Sequence, residues 1–233
     1  MKILALEGSA SVASVALLED GKIIADFYTD NKMTHSQTLM PLVESVLNIT
    51  GTDKHSLDAI ALSAGPGSFT GLRIVGATAK GLAMGLNIPI VSVSTLEAMA
   101  YGHTESKDII CPMLDARRAS VFAAAYEFME DKLIGVFGEK LIPVENLLSS
   151  LKTLKRKVIF VGDGADVNHD IISEILGENA VFASPTTKRQ RASYVASVAY
   201  VKYKAGKVTD PFDFLPNYLK ETEYDKSKAV RQI

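Results

Sequence analysis

Cysteine is almost missing from this 233-residue chain: Cys111 is the only one. An internal disulfide is therefore excluded, which suits a reducing compartment. Charge of one sign is missing too. Lys and Arg number 25 against 27 Asp and Glu, a formal net charge of −2. Nothing attracts nucleic acid globally, so any RNA contact has to use a local patch or a partner. No uninterrupted apolar run reaches the ~18 residues of a membrane helix. The opening Met1–Leu18 imitates a signal peptide, but Glu7 interrupts it and Glu19-Asp20-Gly21 follows without a small-residue cleavage pattern. The expected location is cytoplasmic. His35, His55, His103 and His169 are scattered without ligand spacing, so no metal site is expected. Ser9, Ser11, Ser63 and Ser68 read as turn residues, and no Ser/His/Asp set with a nucleophile elbow accompanies them. Cys111, between Ile110 and Pro112, reads as a small buried hydrophobe with no base beside it. With 47% hydrophobic and 22% charged residues the chain is too apolar for disorder.

What is present centres on Leu57–Gly85. An apolar run of strand length, Leu57–Ser63, enters the turn Ala64-Gly65-Pro66-Gly67-Ser68, and a long run at helical spacing leaves it. Ser68 or Thr70 can cap the new helix, whose N-terminus would aim N–H groups and partial positive charge at an anion. That helix carries Gly71, Gly76, Ala77, Ala79, Gly81, Ala83 and Gly85. Each interior glycine costs about 1 kcal/mol against alanine. A bare surface for close packing against another helix is the expected compensation. A dinucleotide-binding reading fails because Thr70 stands at the third glycine position and no acidic residue ends the next strand.

Around this centre the elements follow a repeated order. Lys2–Glu7, Val12–Leu18 and Ile23–Thr29 read as strands joined by tight turns, hence an antiparallel meander. A helix follows from Thr34-His35-Ser36-Gln37 to Gly51, with Pro41 placing its start nearer Gln37. After the central strand and helix come a strand, Ile88–Val93, and a short helix through Tyr101. The second half repeats the order. Asp108–Asp115, Ala119–Glu127 and residues 131–138 are strands, and Pro143–Leu154 is a helix. Lys157–Val161 leads into Gly162-Asp163-Gly164, then come a helix over Ala165–Leu176, a strand at Val181–Phe182 and a helix over Ser193–Ala205.

Two βββαβα units, each with a mixed sheet flanked by helices, resemble the α/β, two-lobed actin-like ATPase fold of actin, heat-shock ATPases and sugar kinases. The expected division is a first lobe over residues 1–103, a second over 104–205, and a C-terminal segment 206–233 that can pack back on the first lobe.

Gly65-Pro66-Gly67-Ser68-Phe69-Thr70-Gly71-Leu72-Arg73 followed by Gly76-Ala77-Thr78-Ala79-Lys80-Gly81-Leu82 resembles the signature of the TsaB (YeaZ) family. Asp115-Ala116-Arg117-Arg118, Gly162-Asp163-Gly164 and Pro216-Asn217-Tyr218-Leu219 fall in the family's order. The resemblance implies a non-catalytic partner of TsaD, a paralogue of the same fold. With the ATPase TsaE, that complex transfers a threonylcarbamoyl group to adenosine beside the anticodon of tRNAs reading ANN codons. It also implies that paired first-lobe helices form either a homodimer or a heterodimer with the TsaD-like paralogue. On this chain the partner interface then falls on His35, Leu39, Leu42, Val46, Leu72, Val75, Gly76, Ala79, Lys80 and Ala83.

Two departures bear on chemistry. Where TsaD carries a metal-binding HxxxH, this chain has Thr95 and Met99, neither a competent ligand for a catalytic divalent metal. The superfamily ends its first strand with Asp, whereas here Glu7-Gly8-Ser9 follows, with an added methylene. Weak nucleotide binding through Glu7, Gly8, Ser9, Gly65, Gly67 and Ser68 is what remains, with no catalytic residue, no cofactor and no protease activity expected. The alternative function is an independent small-molecule kinase or ATPase of the same fold. Direct tRNA contact would need Lys152, Lys155, Arg156 and Lys157 with Lys188, Arg189 and Arg191, which otherwise read as solvated helix ends.

Overall fold

A computed structural model describes residues 1–31, 33–130, 132–217 and 219. The first sheet is built from β1 (Lys2–Glu7), β2 (Ala13–Glu19), β3 (Lys22–Thr29), β4 (Ala59–Gly65) and β5 (Ile90–Ser94). Its order is β3-β2-β1-β4-β5, antiparallel across β1, β2 and β3 and parallel across β1, β4 and β5. β1 is apolar without alternation because both its faces are covered. Leu4 and Leu6 point to one side, where Leu39, Val43 and Val46 of α1 (His35–Thr50) and Val75 and Ala79 of α2 (Phe69–Leu86) meet them. Ile3 and Ala5 point to the other, toward Ala98 of α3 (Thr95–Tyr101) and Val195, Ala196 and Ala199 of α7 (Ala192–Lys204).

The second sheet repeats the plan. It contains β6 (Ile109–Asp115), β7 (Ser120–Met129), β8 (Lys132–Pro143), β9 (Val158–Val161) and β10 (Ala180–Phe182), in the order β10-β9-β6-β7-β8. α4 (Val144–Lys152), α5 (Asp163–Val167) and α6 (His169–Leu176) belong to this half; α4 and α6 cover one face with Leu147, Leu148 and Ile172. The other face meets Leu96, Met99 and Ala100 of α3 through Ile110, Leu114 and Phe122, so α3 lies between the lobes. β6 thus corresponds to β1 and β9 to β4, which places Asp115 opposite Glu7 and Gly162 opposite Gly65 in the duplicated plan. The two-lobed α/β architecture expected from the repeated element order is present.

Several boundaries differ from expectation for identifiable reasons. α1 begins at His35 rather than near Gln37, because the Thr34 amide donates to Gln37 Oε1 at 3.4 Å and exposed Pro41 is carried inside the helix. The single helix expected over Ala165–Leu176 is two, starting at Asp163 and broken at Asn168, whose Nδ2 donates to the Gly164 carbonyl at 2.7 Å. β8 runs five residues' worth of chain further than expected, to Pro143, so α4 starts later; Asp131, the expected start of that strand, lies outside the described residues.

The larger correction concerns the lobe boundary. α7 was expected in the second lobe, ending at 205, yet it packs on the first sheet. Alanine opposite alanine explains the close fit: Ala192, Ala196 and Ala199 share a cluster with Ala5, Ala16, Ala59 and Ala61, all buried. The segment after α7 also turns onto this lobe. Thr209 exchanges two backbone hydrogen bonds with Ile90, at 2.8 and 2.9 Å, and Phe214 is buried against Gly76 of α2. The expected C-terminal segment 206–233 is described only at 206–217 and 219; the rest lies outside the described residues. Among the described residues no helix is long and apolar enough to cross a membrane.

One polar cluster seats α7. Asp26 on β3 accepts from Ser193 Oγ at 2.7 Å, Arg191 Nη1 at 3.1 Å and Ser14 Oγ at 3.2 Å. Ser14 Oγ in turn accepts from the Ala192 amide at 3.0 Å. Ser14 thus answers an orphan N–H of α7, and the carboxylate behind it answers the positive end of the helix dipole. Asp26→Ala is expected to lower the unfolding free energy by about 2–3 kcal/mol, the range for losing charged hydrogen bonds in a largely buried setting. Urea denaturation measures it, and an unchanged midpoint would refute the anchoring role.

Candidate functional site

Open α/β sheets bind ligands at the carboxyl ends of their strands. Here that position is framed by Glu7-Gly8-Ser9 after β1 and Gly65-Pro66-Gly67-Ser68 after β4. Glu7 is 1% exposed, and its carboxylate accepts from both the Ser9 amide and Ser9 Oγ at 2.6 Å. His35 Nε2 donates to the Ala10 carbonyl at 2.8 Å and holds the same turn from below. The two loops then close on each other. The Ser68 amide donates to the Ser9 carbonyl at 2.6 Å, and the Gly71 amide donates to Ser68 Oγ at 3.3 Å as the cap of α2.

The glycines serve this closure. A Cβ on Gly67 would strike the Ser9 carbonyl oxygen, one on Gly71 the Gly8 carbonyl oxygen, and one on Gly65 the Asn217 carbonyl oxygen. A phosphate cradle needs amides facing open space. This turn presents carbonyl oxygens where an anion would sit, and Glu7 and Ser9 are buried against each other. Of the six residues expected to bind nucleotide weakly, Glu7, Gly8, Ser9, Gly67 and Ser68 make contacts within or between the two loops, and Gly65 meets Asn217. The glycines were correctly singled out for close backbone approach, but what approaches is the chain itself.

The equivalent ends of the second sheet carry Asp115 and Asp163. The Asp115 amide donates to Asp163 Oδ1 at 3.2 Å, and Asp115 Oδ1 accepts from the Arg117 amide at 2.9 Å. Burial pushes the Asp163 carboxyl above the ordinary carboxylate range. Arg117, Arg118 and Ala119 follow in left-handed backbone, with φ of 68°, 53° and 55°. Thr95 and Met99, at the place of the HxxxH, are buried core side chains. Among the described residues no group of three His, Cys, Asp or Glu is arranged for a metal. Burial also pushes the Cys111 thiol far up.

The helical face reads differently from expectation. Leu39, Val46, Leu72, Val75, Ala79 and Ala83 are at most 1% exposed, and all but Leu72 belong to the core packed on the first sheet. Gly76 is covered by Phe214. These seven cannot touch a partner in this conformation, because the phase of each helix turns its bulky apolar residues inward. Of the other three, Leu42 is half-buried against the core, His35 is turned to Ala10, and Lys80 Nζ donates to the Phe212 carbonyl at 3.1 Å. The face that α2 presents outward carries Arg73, Ala77, Gly81 and Met84, with Arg73 stacked 3.8 Å over the Phe69 ring. Met40 and Ile49 are exposed on α1. The signal for this face was available in the α2 sequence: Leu72, Val75, Ala79 and Ala83 mark one side, and Ala77 and Gly81 fall opposite at 100° per residue. Gly81 and Gly85 are the glycines whose Cβ would meet nothing within 4 Å on this helix.

The basic residues are largely paired within the chain. Arg156 bonds Glu127 at 2.6 Å, Lys188 and Arg189 share Asp166 at 3.2 and 2.8 Å, and Arg191 bonds Asp26. Lys152, Lys155 and Lys157 remain as exposed cations without an ion pair among the described residues.

Glu7 gives this site a pH signature. Burial raises its carboxyl above the ordinary 4.5, against the opposing hydrogen bonds from Ser9. Above 4.5 the folded chain then holds this proton more tightly than the unfolded chain, so stability falls as pH rises through that window. Glu7→Gln keeps an acceptor without the charge. Its denaturation midpoint is expected to decline less than the parent's between pH 4.5 and neutrality; parallel midpoint curves would refute this.

Comparison with known proteins agrees with the geometry. The family model described as TsaD, tRNA N6-adenosine threonylcarbamoyltransferase, matches residues 23–228. The tRNA threonylcarbamoyladenosine biosynthesis protein TsaB of Bacillus subtilis (strain 168) is 33% identical over 223 residues, 96% of each chain. The structure of YeaZ from Pseudomonas aeruginosa superposes with a TM-score of 0.80 at 26% identity, covering 94% of this chain and 99% of that one. A ROK hexokinase from Thermus thermophilus, 11% identical with a TM-score of 0.51 over 88% of this chain and all of that one, shares the fold alone. With a relative named TsaB matched over 96% of each chain and a superposable YeaZ structure, the chain belongs to the TsaB (YeaZ) family.

Proposed function

We propose that this chain is a non-catalytic subunit in the formation of threonylcarbamoyladenosine in tRNA, docking on and activating a TsaD-like paralogue through the outer face of α2. A TsaE-like ATPase is the third member of the complex, and the same face forms a homodimer when the chain is alone. The substrate is adenosine beside the anticodon of tRNAs reading ANN codons, reached through the paralogue and not through a global charge of this chain.

Gly81 carries the reading. It sits in the interior of an 18-residue helix, where glycine costs about 1 kcal/mol against alanine. Gly76 repays its bareness inside the chain by admitting Phe214, but among the described residues nothing lies within 4 Å of the Cβ position of Gly81. The compensation for Gly81 is then a partner, in an approach too close for a side chain. Ala77 and Gly81 flanked by Met84, Arg73 and Phe69 make a face with a shallow centre and an apolar rim with one cation. The filled glycine turn and the buried Thr95 and Met99 support a supporting role over catalysis, and no observation favours an independent kinase.

Gly81→Arg and Ala77→Arg test the face. Both side chains would enter open solvent in the monomer, so its circular dichroism spectrum is expected to stay unchanged, as replacing an exposed helix residue allows. Co-purification with the TsaD-like paralogue and homodimer formation, followed by analytical ultracentrifugation, are expected to be lost, together with the paralogue's formation of threonylcarbamoyladenosine in a reconstituted reaction. Wild-type association by both variants would overturn the assignment of the face. Undiminished modification when the chain is left out would overturn the activating role.

A further inference from the structure

The carboxyl ends of β4, β6 and β9 form the crevice where a protein of this architecture would take a ligand. In this chain the crevice is occupied by its own C-terminal segment. The route is continuous. Thr209 pairs with Ile90 at the edge of β5, and Lys80 holds the Phe212 carbonyl. Phe214, 3% exposed, then enters the space left by Gly76, and Pro216 lies at the same glycine. The Asn217 amide donates to the Ala64 carbonyl at 2.7 Å, at the end of β4, and the Asn217 carbonyl oxygen rests on bare Gly65. Leu219 packs on a cluster drawn from both lobes: Leu96, Met99 and Ala100 from α3, and Leu114, Ala116 and Val161 from the ends of β6 and β9.

We propose that this crevice is a peptide-binding groove which the chain fills in cis with residues 214–217 and 219, and that the segment staples the two lobes at one angle. The chemistry of the groove is that of an extended peptide: a backbone acceptor at Ala64, a glycine surface at Gly65 that admits a main-chain carbonyl, and an apolar seat for a leucine. The segment is anchored on the first lobe by Phe214 and reaches the second through Leu219, so the leucine is the contact that spans the gap. Phe212 and Leu215, at 73% and 81% exposure, take no part in the seat. This assignment rests on the fold alone and does not depend on what docks on α2.

The test uses the full chain carrying spin labels at Lys54→Cys in the first lobe and Ser149→Cys in the second, both exposed positions, while buried Cys111 stays unlabelled. Double electron–electron resonance reads the distance between lobes, and hydrogen exchange reads the Asn217 amide. The parent and Leu219→Met are expected to give one narrow distance. Leu219→Asp is expected to broaden it and to speed exchange at Asn217 about tenfold, since burying an apolar side chain of this size is worth at least the corresponding free energy. Asn217→Pro removes the donor to Ala64 without touching the leucine and is expected to broaden the distance as well. Distances in Leu219→Asp and Asn217→Pro as narrow as the parent's, with or without faster exchange, would overturn the proposal.

Discussion

The approach of backbone carbonyl oxygens to bare glycine α-carbons governs the first lobe. Ser9 on Gly67, Gly8 on Gly71 and Asn217 on Gly65 are three instances within one short turn. A single added methyl at any of them would drive apart two loops, or a loop and the C-terminal segment. The turn Glu7-Gly8-Ser9 is fixed by the same contacts, with the Glu7 carboxylate folded back on Ser9 and His35 on Ala10. The start of α2, and therefore the direction in which the helix leaves the sheet, follows from that closure.

The glycines of α2 divide by what faces them. Gly71 and Gly76 are spent on internal contacts with Gly8 and Phe214, whereas Gly81 meets nothing within 4 Å among the described residues. One composition thus serves two purposes along one helix, separated by rotation about its axis. The inward side is sealed by Val75, Ala79 and Ala83, with Leu72 also buried. What is left for a partner is the opposite side, and its character is set by small residues at the centre and by Met84, Arg73 and Phe69 around them.

The lobes are less independent than a duplicated plan suggests. α7 follows the second sheet in the chain but packs on the first, seated by Asp26 on β3. α3 follows the first sheet and fills the space against the second. The chain after α7 stays on the first lobe through Thr209 and Phe214 and reaches the space between the lobes with Leu219.

Much of this was legible in residue order. The unbroken apolar run of β1, the Asp-Gly turn after β2, Ser68 as a cap and Gly51 as terminator each depend on neighbours within a few positions, so local chemistry determines them. The repeated βββαβα order follows from those elements, and the match of Gly65–Arg73 to a family signature needs no coordinates. Which face of α2 is free, by contrast, depends on where the sheet lies, and so Leu39, Val46 and Ala79 changed from candidate contacts to core. The place of α7 depended on alanines in β1, β2 and β4, more than a hundred residues away. The purpose of Gly65 depended on Asn217. These are long-range packing choices, decided only when backbones meet, and the tertiary structure alone could make them.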